Sequence, residues 1–147
     1  VKPVKGKIIW VRIPKARPPM RVLVNYKRSR AMRLMFEKNS ARLTQQARED
    51  LEILAQALNS PQLAKARYLL SGHTDTSGSR RHNQRLSERR ARAAMRYLVE
   101  ELEVDPSRLF AVGFGEDPFD GRPVGRGPEN RIVRIGLILR VDLGNND

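Results

Sequence analysis

The sequence predicts an α+β domain in which two helices pack on one face of a mixed sheet. Two observations support this prediction: short apolar segments with strand character alternate with segments whose apolar residues have helical spacing, and turn or cap residues separate them. Two strand–helix–strand units followed by a last strand imply a sheet covered by two helices on one side. The 147 residues are enough for one domain with a single core.

Each element has local signals at its ends. Thr44 can cap a first helix that carries apolar residues at helical spacing and ends at Ser60-Pro61. A short apolar strand then runs into Gly72, and Pro106 marks the turn before the next strand. The predicted elements are a strand at 31–36, a helix after Thr44, a strand at 66–70, a helix beginning near Asn83, a strand at 109–115 and a closing strand at 132–141.

The positive charge is concentrated at one end. The net charge is +13, yet residues 1–35 hold eleven Lys and Arg and no acid, which leaves eighteen basic and sixteen acidic residues, or +2, for the remainder. Four of the nine prolines lie in residues 1–28. We therefore predict a basic arm or linker at 1–30 with one or two short strands, anchored on the body by Trp10. The domain proper is predicted at 31–142, with a frayed tail at 143–147.

Several classes of protein are disfavoured by what the sequence lacks. Without cysteine there are no disulfides, cysteine nucleophiles or thiolate metal sites. No apolar run is long enough to cross a bilayer, and no apolar segment typical of a signal peptide follows the N-terminus. Because it begins at Val1, we interpret the sequence as part of a longer protein.

The most informative segment is 71–91, SGHTDTSGSRRHNQRLSERRA. It places Asp75 in a turn after an apolar strand and Arg90 on the helix that follows. A carboxylate can bind an ammonium group, and a guanidinium can bind a carboxylate through two parallel hydrogen bonds. The pair therefore suits a small zwitterionic ligand, and such binding requires no catalysis.

Four motifs occur in a fixed order: GHTDTSG at 72–78, N-x-x-L-S-x-x-R-A at 83–91, DPSRLFAVGFGEDP at 105–118 and NRIV at 130–133. With them, the sequence from about Met32 to Leu139 resembles the OmpA-like peptidoglycan-binding domain of OmpA-type porins and Pal lipoproteins. The resemblance implies an OmpA-C-like β-α-β-α-β-β sandwich. It also implies non-covalent binding of the peptidoglycan stem peptide at meso-diaminopimelate, which would anchor a larger envelope protein to the cell wall.

The resemblance also implies roles for individual residues. Asp75 would bind the ammonium group of diaminopimelate and Arg90 its carboxylate. Arg131 would take a second carboxylate of the stem, although the family's second arginine in this motif is replaced by Ile132. The remaining expected site residues are Thr74, Asn39, Asn83, which either binds the ligand or caps its helix, and Leu86, which is also a core candidate.

Simpler explanations of the same residues stay open. Asp75 and Arg90 could form only an internal ion pair, or Asp75 could cap its own turn. A metal site at His73, His82 and Asp75 is disfavoured because the family motif accounts for His73. A hydrolase is disfavoured because no nucleophile-elbow sequence is present. Six arginines around the second helix, at 80, 81, 85, 89, 92 and 96, either form a solvated face paired with Glu88 and Glu100 or attract an anionic polymer.

The expected partners are peptidoglycan and an attached or associated outer-membrane or envelope protein, in the periplasm of Gram-negative bacteria. No cofactor and no enzymatic activity are expected, and the sequence leaves open whether the chain forms a homodimer. One alternative function is binding of nucleic acid or another anionic polymer through the basic arm, although the chain lacks aromatic residues for a stacking platform. Another is a structural module that has lost its ligand.

Overall fold

A computed structural model describes residues 7–26, 32–118 and 124–144. Within these ranges the chain forms six strands and two α-helices, connected by loops and short 3-10 turns. None of the helices in the described ranges is long and apolar enough to span a bilayer. The elements are β1 (Lys7–Arg12), β2 (Met20–Tyr26), β3 (Arg33–Met35), α1 (Gln45–Leu58), β4 (Tyr68–Gly72), α2 (Arg80–Glu100), β5 (Leu109–Gly113) and β6 (Ile132–Leu143).

The six strands form one mixed sheet in the order β1-β2-β6-β4-β5, and β3 pairs with β6 as well. β4 and β5 are parallel and are connected through α2, whereas every other pair is antiparallel. The long strand β6 contacts three neighbours, because its first residues pair with β3, its middle with β4 and its last residues with β2. The predicted α+β class with a mixed sheet and two helices on one face is confirmed.

Both helices begin at a hydroxyl cap. The Thr44 side chain accepts a hydrogen bond from the Ala47 amide, as predicted, and the Ser79 side chain accepts one from the His82 amide. The second cap corrects the prediction that α2 begins near Asn83. The helix starts three residues earlier, because Ser79 supplies an acceptor for the free amides of the first turn.

The main core lies between the helices and one face of the sheet. The strands supply alternate residues to it, so that Tyr68 and Leu70 of β4 face the helices while Leu69 points to the opposite face. α1 contributes residues at helical spacing, as its sequence predicts. The fully or nearly fully buried members include Leu34, Leu51, Leu58, Leu70, Ala94, Leu98, Val133 and Ile135.

A second, smaller core covers the other face of the sheet, and the hairpin of β1 and β2 builds it. Val11, Val22 and Val24 of the hairpin cluster with Leu69 of β4 and with Phe114, which follows β5. All three valines are at most 3% exposed. The hairpin is therefore bonded into the sheet through β2 and β6 and buries apolar surface that would otherwise face water.

This hairpin differs from the arm that the sequence predicts. The one or two expected short strands exist, but they extend the sheet. Trp10 is 38% exposed beneath the guanidinium of Arg21, at 4.4 Å from its ring centroid, so the valines and not Trp10 hold the hairpin in place. Period-two alternation in KIIWVR and MRVLVNY is the signal that the prolines and charges obscured.

The predicted tail also begins later than expected. Leu143 is the last residue of β6, and the amide of Gly144 donates a hydrogen bond to the carbonyl of Pro19. The remaining residues of the predicted tail, 145–147, lie outside the described residues, as do residues 1–6 and 27–31 of the predicted arm and strand.

Close contact between α2 and the end of β4 depends on Gly72. A Cβ atom at this position would lie 1.9 Å from the carbonyl oxygen of Ser87, which is a backbone atom that cannot rotate away. At the end of β5, a Cβ on Gly113 would lie 2.6 Å from the Ser87 hydroxyl oxygen. The two glycines thus bring the first turns of α2 directly onto the ends of two strands.

We expect Gly72→Ala to lower the free energy of unfolding by about 3 kcal/mol, because α2 must move off the sheet to admit the methyl group. Urea denaturation followed by circular dichroism measures the change. Gly125→Ala is the matched control, because nothing lies within 4 Å of a Cβ there and the position is exposed. Equal losses in both variants would contradict the proposed close packing.

Candidate functional site

A cavity of about 270 Å³ lies where three segments meet. These segments are the loop after β3, the loop between β4 and α2, and the first turns of α2. The close contact at Gly72 places α2 against the end of β4, where the second segment starts. The buried guanidinium of Arg90 on α2 bonds to carbonyls of the first and second segments. The lining residues are Lys38, Asn39, Thr74, Asp75, Ser77, Gly78, His82, Asn83, Leu86 and Arg90.

Asp75 supplies the carboxylate of the cavity and is only 4% exposed. Its Oδ1 accepts hydrogen bonds from the amide of Ser77, at 2.8 Å, and from the Ser77 hydroxyl. Its Oδ2 lies 3.7 Å from Nη1 of Arg131. One oxygen is therefore occupied by the turn, while the contact of the other within the described residues is a long one with a cation.

The environment of Asp75 holds its carboxyl in the ionised form. Burial by itself would raise the pKa, but the hydroxyl and amide of Ser77, together with the positive charges of Arg131 and Lys38, lower the pKa of Asp75 below its ordinary 3.8. The cavity therefore contains an anion at neutral pH.

Arg90 supplies a guanidinium that is completely buried. Nε donates to the carbonyl of Ser40 at 2.8 Å, Nη1 to that of His73 at 2.9 Å and Nη2 to that of Glu37 at 3.0 Å. The guanidinium also lies 5.3 Å from the centroid of the Phe36 ring. Burial lowers the pKa of Arg90 to about 10, against the opposing effect of the Asp75 charge, so the group remains a cation at neutral pH.

The arrangement distinguishes between the simpler explanations of Asp75 and Arg90. The ion pair within 4.0 Å joins Asp75 to Arg131, whereas Arg90 donates to backbone carbonyls. Asp75 does cap its own turn, but through one oxygen only. Arg90 has five N–H groups, of which three serve these carbonyls, so one hydrogen on each terminal nitrogen has no partner among the described residues.

Two further predicted residues place polar groups at the cavity. Thr74 is 2% exposed, and its hydroxyl oxygen is buried without a hydrogen-bond partner among the described residues. The Asn83 amide nitrogen donates to the Asp75 carbonyl and to Glu116, each at 3.3 Å. Since Ser79 caps α2, the alternative that Asn83 caps this helix is wrong. Asn83 instead stabilises the turn that carries Asp75.

Asn39 and His82 face each other across the cavity. Asn39 adopts a left-handed conformation with φ of 56°, which asparagine tolerates better than most residues. Its Oδ1 lies 2.7 Å from Nε2 of His82. This bond joins the loop after β3 to the first turn of α2.

The structure thus brings six of the seven predicted site residues to the cavity lining. The seventh, Arg131, contacts Asp75 from outside the lining and donates through Nε to the Phe36 carbonyl. Leu86 is 3% exposed and contributes an apolar wall. Sequence reasoning missed Lys38, Ser77, Gly78 and His82. An acid two residues before a serine is a known turn signature, so Ser77 could have been found from the sequence.

Histidines and acids do not gather into a metal site within the described ranges. His73 points away from the cavity, where its ring stacks on Phe114 with centroids 5.4 Å apart and Nε2 lies 3.2 Å from the Ser71 hydroxyl. His82 binds Asn39 instead. Within the described residues, the cavity combines a carboxylate, guanidinium hydrogens without an acceptor and a hydroxyl without a partner, which suit recognition of a small charged ligand.

We expect Arg90→Lys to reduce the free energy of unfolding by roughly 3 kcal/mol, because an ammonium group cannot reach three carbonyls in fixed directions and leaves some of them buried without a donor. Chemical denaturation measures the loss. Arg89→Lys is the control, because Arg89 directly precedes Arg90 on the same helix and is exposed. This substitution should change the free energy of unfolding by less than about 0.5 kcal/mol. Similar stability of both variants would show that the carbonyl contacts contribute little.

We expect Ser77→Ala to raise the pKa of Asp75, because the variant loses the hydroxyl hydrogen bond that stabilises the ionised carboxylate against the effect of burial. A depressed carboxyl pKa adds stability above the unfolded value, and this contribution is lost as pH falls through the folded value. The stability difference between wild type and variant should therefore be present at neutral pH and vanish in strong acid.

Carbon NMR of the Asp75 carboxyl measures this titration directly. In wild type it should occur below pH 3.8 and in Ser77→Ala at higher pH. Ser107→Ala is the control: Ser107 donates to Asp105 in the same kind of turn, far along the chain, so that substitution should leave the Asp75 titration unchanged. An unshifted Asp75 in Ser77→Ala would contradict the assigned role of the hydroxyl.

Known proteins are similar to this chain in sequence. The profile of the OmpA family matches residues 35–128. The peptidoglycan-associated lipoprotein of Pseudomonas aeruginosa is 38% identical over 96 residues, which cover 65% of this chain and 52% of that protein. Outer membrane protein Omp38 of Acinetobacter baumannii is 37% identical over 86 residues, covering 58% of this chain and 24% of that protein. The chain thus spans about half the length of the first relative and a quarter of the second.

Solved structures agree with the fold. The peptidoglycan-associated lipoprotein from Burkholderia pseudomallei superimposes with a TM-score of 0.63 at 27% identity, covering 72% of this chain and 89% of that one. The C-terminal domain of Helicobacter pylori MotB has the same fold, with a TM-score of 0.58 at 22% identity and coverage of 78% and 86%. The profile match ends before β6 and begins after the hairpin. The chain therefore belongs to the OmpA family, a family of non-enzymatic peptidoglycan-binding domains.

Proposed function

We propose that this chain binds the stem peptide of peptidoglycan through the zwitterionic end of meso-diaminopimelate. The observation that carries the proposal is the pairing, in one cavity, of an ionised carboxylate with a buried guanidinium that has two unused N–H groups. An amino acid end group carries an ammonium and a carboxylate on one carbon, which is the complementary pair.

Asp75 would bind the ammonium group through Oδ2, the oxygen that the Ser77 turn does not use. The ligand carboxylate would accept from the terminal nitrogens of Arg90. The Thr74 hydroxyl would gain the partner that it lacks among the described residues. Leu86 would pack against the methylene groups of the ligand side chain.

Two neighbouring residues would refine this recognition. Asn83 and Asn39 hold the turn and the opposite loop in place, and both residues line the cavity that would receive the ligand. Arg131 steadies Asp75 and supplies positive charge for a second carboxylate of the stem. The cavity of about 270 Å³ suits one amino-acid side chain and not a whole polymer repeat.

The biological setting of the proposal comes from the relatives. Their names place them in the outer membrane or associate them with peptidoglycan, and they are longer than this chain. We infer a periplasmic domain that tethers a larger envelope protein to the cell wall. Measurement of the molecular mass in solution would show whether two copies form a dimer.

We expect Asp75→Asn to abolish retention on purified, nucleic-acid-free peptidoglycan sacculi at about 150 mM salt, where exposed charges are screened beyond roughly 8 Å. The substitution keeps the shape of the side chain and most turn contacts but removes the anion. Co-sedimentation measures binding, and circular dichroism checks the fold. Asp105→Asn is the matched control, because Asp105 accepts from the amide and hydroxyl of Ser107 in the same way but lies outside the cavity.

The other outcomes identify the alternatives. Equal binding by wild type and both variants would move the function to the basic N-terminal segment. Lack of binding by all three would indicate a structural module without a ligand. Arg90→Ala is less suitable as a first test, because the loss of three carbonyl contacts would change folding and binding together.

A further inference from the structure

Five arginines form a single row on the exposed side of α2: Arg81, Arg85, Arg89, Arg92 and Arg96. Their spacing of four, four, three and four residues keeps them within an arc of about 80°, given 100° per residue. The buried residues of α2, which include Asn83, Leu86, Arg90 and Leu98, occupy the opposite side of the helix. We call these five residues the arginine row. It extends about 22 Å along the helix at 1.5 Å per residue.

The arginine row is not balanced by acids within the described parts of the chain. No hydrogen bond or ion pair involves any of its five side chains, although Glu100 follows Arg96 by four residues. Glu88 accepts from Gln84 instead. In contrast, the neighbouring Arg80 pairs with Asp117. The expected pairing with Glu88 and Glu100 is thus wrong for this structure.

Like charges at this spacing repel one another and weaken a helix. Within the described fold, the mutual repulsion of the row therefore destabilises α2 without compensation. An external anion would neutralise this repulsion. Guanidinium groups bind carboxylates and phosphates in two parallel hydrogen bonds, so the partner should carry such groups repeatedly along its length.

Two observations favour a polymer over a membrane. Among the residues that the structure describes, none of the exposed large apolar side chains lies on α2, whereas helices that lie in a bilayer surface insert apolar side chains next to their cations. The row also begins at Arg81, the neighbour of His82, which lines the cavity. A polymer held in the cavity is consequently concentrated beside the row.

We propose that the arginine row is a second contact for peptidoglycan, which binds carboxylates of stem peptides next to the one in the cavity. This inference rests on the proposed function of the cavity. The cavity recognises one amino acid end, and the row adds a salt-sensitive attraction that only the polymer can supply. A single soluble stem peptide would occupy the cavity without using the row.

The test compares a triple variant, Arg85→Gln with Arg89→Gln and Arg92→Gln, with a control triple variant, Arg12→Gln with Arg33→Gln and Arg140→Gln. Both lose three charges from exposed arginines that have no partner among the described residues, but the control residues lie on strands. Glutamine keeps helix propensity in α2. Calorimetry measures binding of a soluble diaminopimelate-containing tetrapeptide, and co-sedimentation measures binding to sacculi at about 50 and 300 mM salt.

We expect both triple variants to bind the tetrapeptide within about twofold of wild type. The α2 variant should bind sacculi about tenfold more weakly at the lower salt and lose most of the salt dependence, and the control should behave as wild type. Equal binding of sacculi by the two triple variants would overturn the inference while leaving the cavity intact. Failure of wild type to bind the tetrapeptide would instead count against the proposed function.

A further comparison uses vesicles with and without anionic phospholipid. Retention of wild type on anionic vesicles at about 150 mM salt, lost in the α2 variant while sacculus binding persists, would assign the row to a membrane and overturn the inference. Recovery of sacculus binding by lysines at the same three positions would support an electrostatic contact, since lysine keeps the charge but not the paired hydrogen bonds.

Discussion

The buried guanidinium of Arg90 joins the segments from which the cavity is built. Each of its three nitrogens donates to a backbone carbonyl, two in the loop after β3 and one at the end of β4. A buried cation without such acceptors would be strongly unfavourable, and buried carbonyls without donors would be unfavourable as well. Because each side satisfies the other, the loop, the strand end and the helix are held in one arrangement.

A second arginine has a similar role at the C-terminal end of α1. Arg108 is 8% exposed and donates to the carbonyls of Leu58, Leu63 and Ala66, which closes the connection between α1 and β4. The planar guanidinium is suited to this task because its donors point in fixed directions. Two arginines thus organise irregular backbone in a domain without disulfides, one around the cavity and one remote from it.

Much of this organisation could be predicted from the sequence. The helical spacing of Leu51, Leu54 and Leu58, the cap at Thr44 and the mixed sheet followed from local patterns. The hairpin did not, because Pro14, Pro18 and Pro19 cluster in the turn that connects its strands and the cations suggested a solvated arm. Its burial depends on apolar residues of β4 and β5 that are distant in sequence, which local patterns do not reveal.

The cavity shows a similar limit. The motifs located Asp75 and Arg90, but the geometry assigns most of the Arg90 donors to carbonyls, and no side-chain pattern encodes carbonyl positions. The bond between Asn39 and His82 links residues 43 apart, and the contact of Arg131 with Asp75 links residues 56 apart (131 minus 75). Such pairs become apparent only once the loops have been placed by folding.

The course of β6 has a mechanical consequence. The strand starts beside Arg131, next to the cavity, and ends where it pairs with β2 of the hairpin. Tension between a ligand held in the cavity and the hairpin would therefore pull along the strand. In that direction the ladder between β2 and β6 is sheared, so its hydrogen bonds resist together, whereas a pull across the strands would open them one after another. A load applied between these two points would therefore shear the sheet along β6 and would not unzip it.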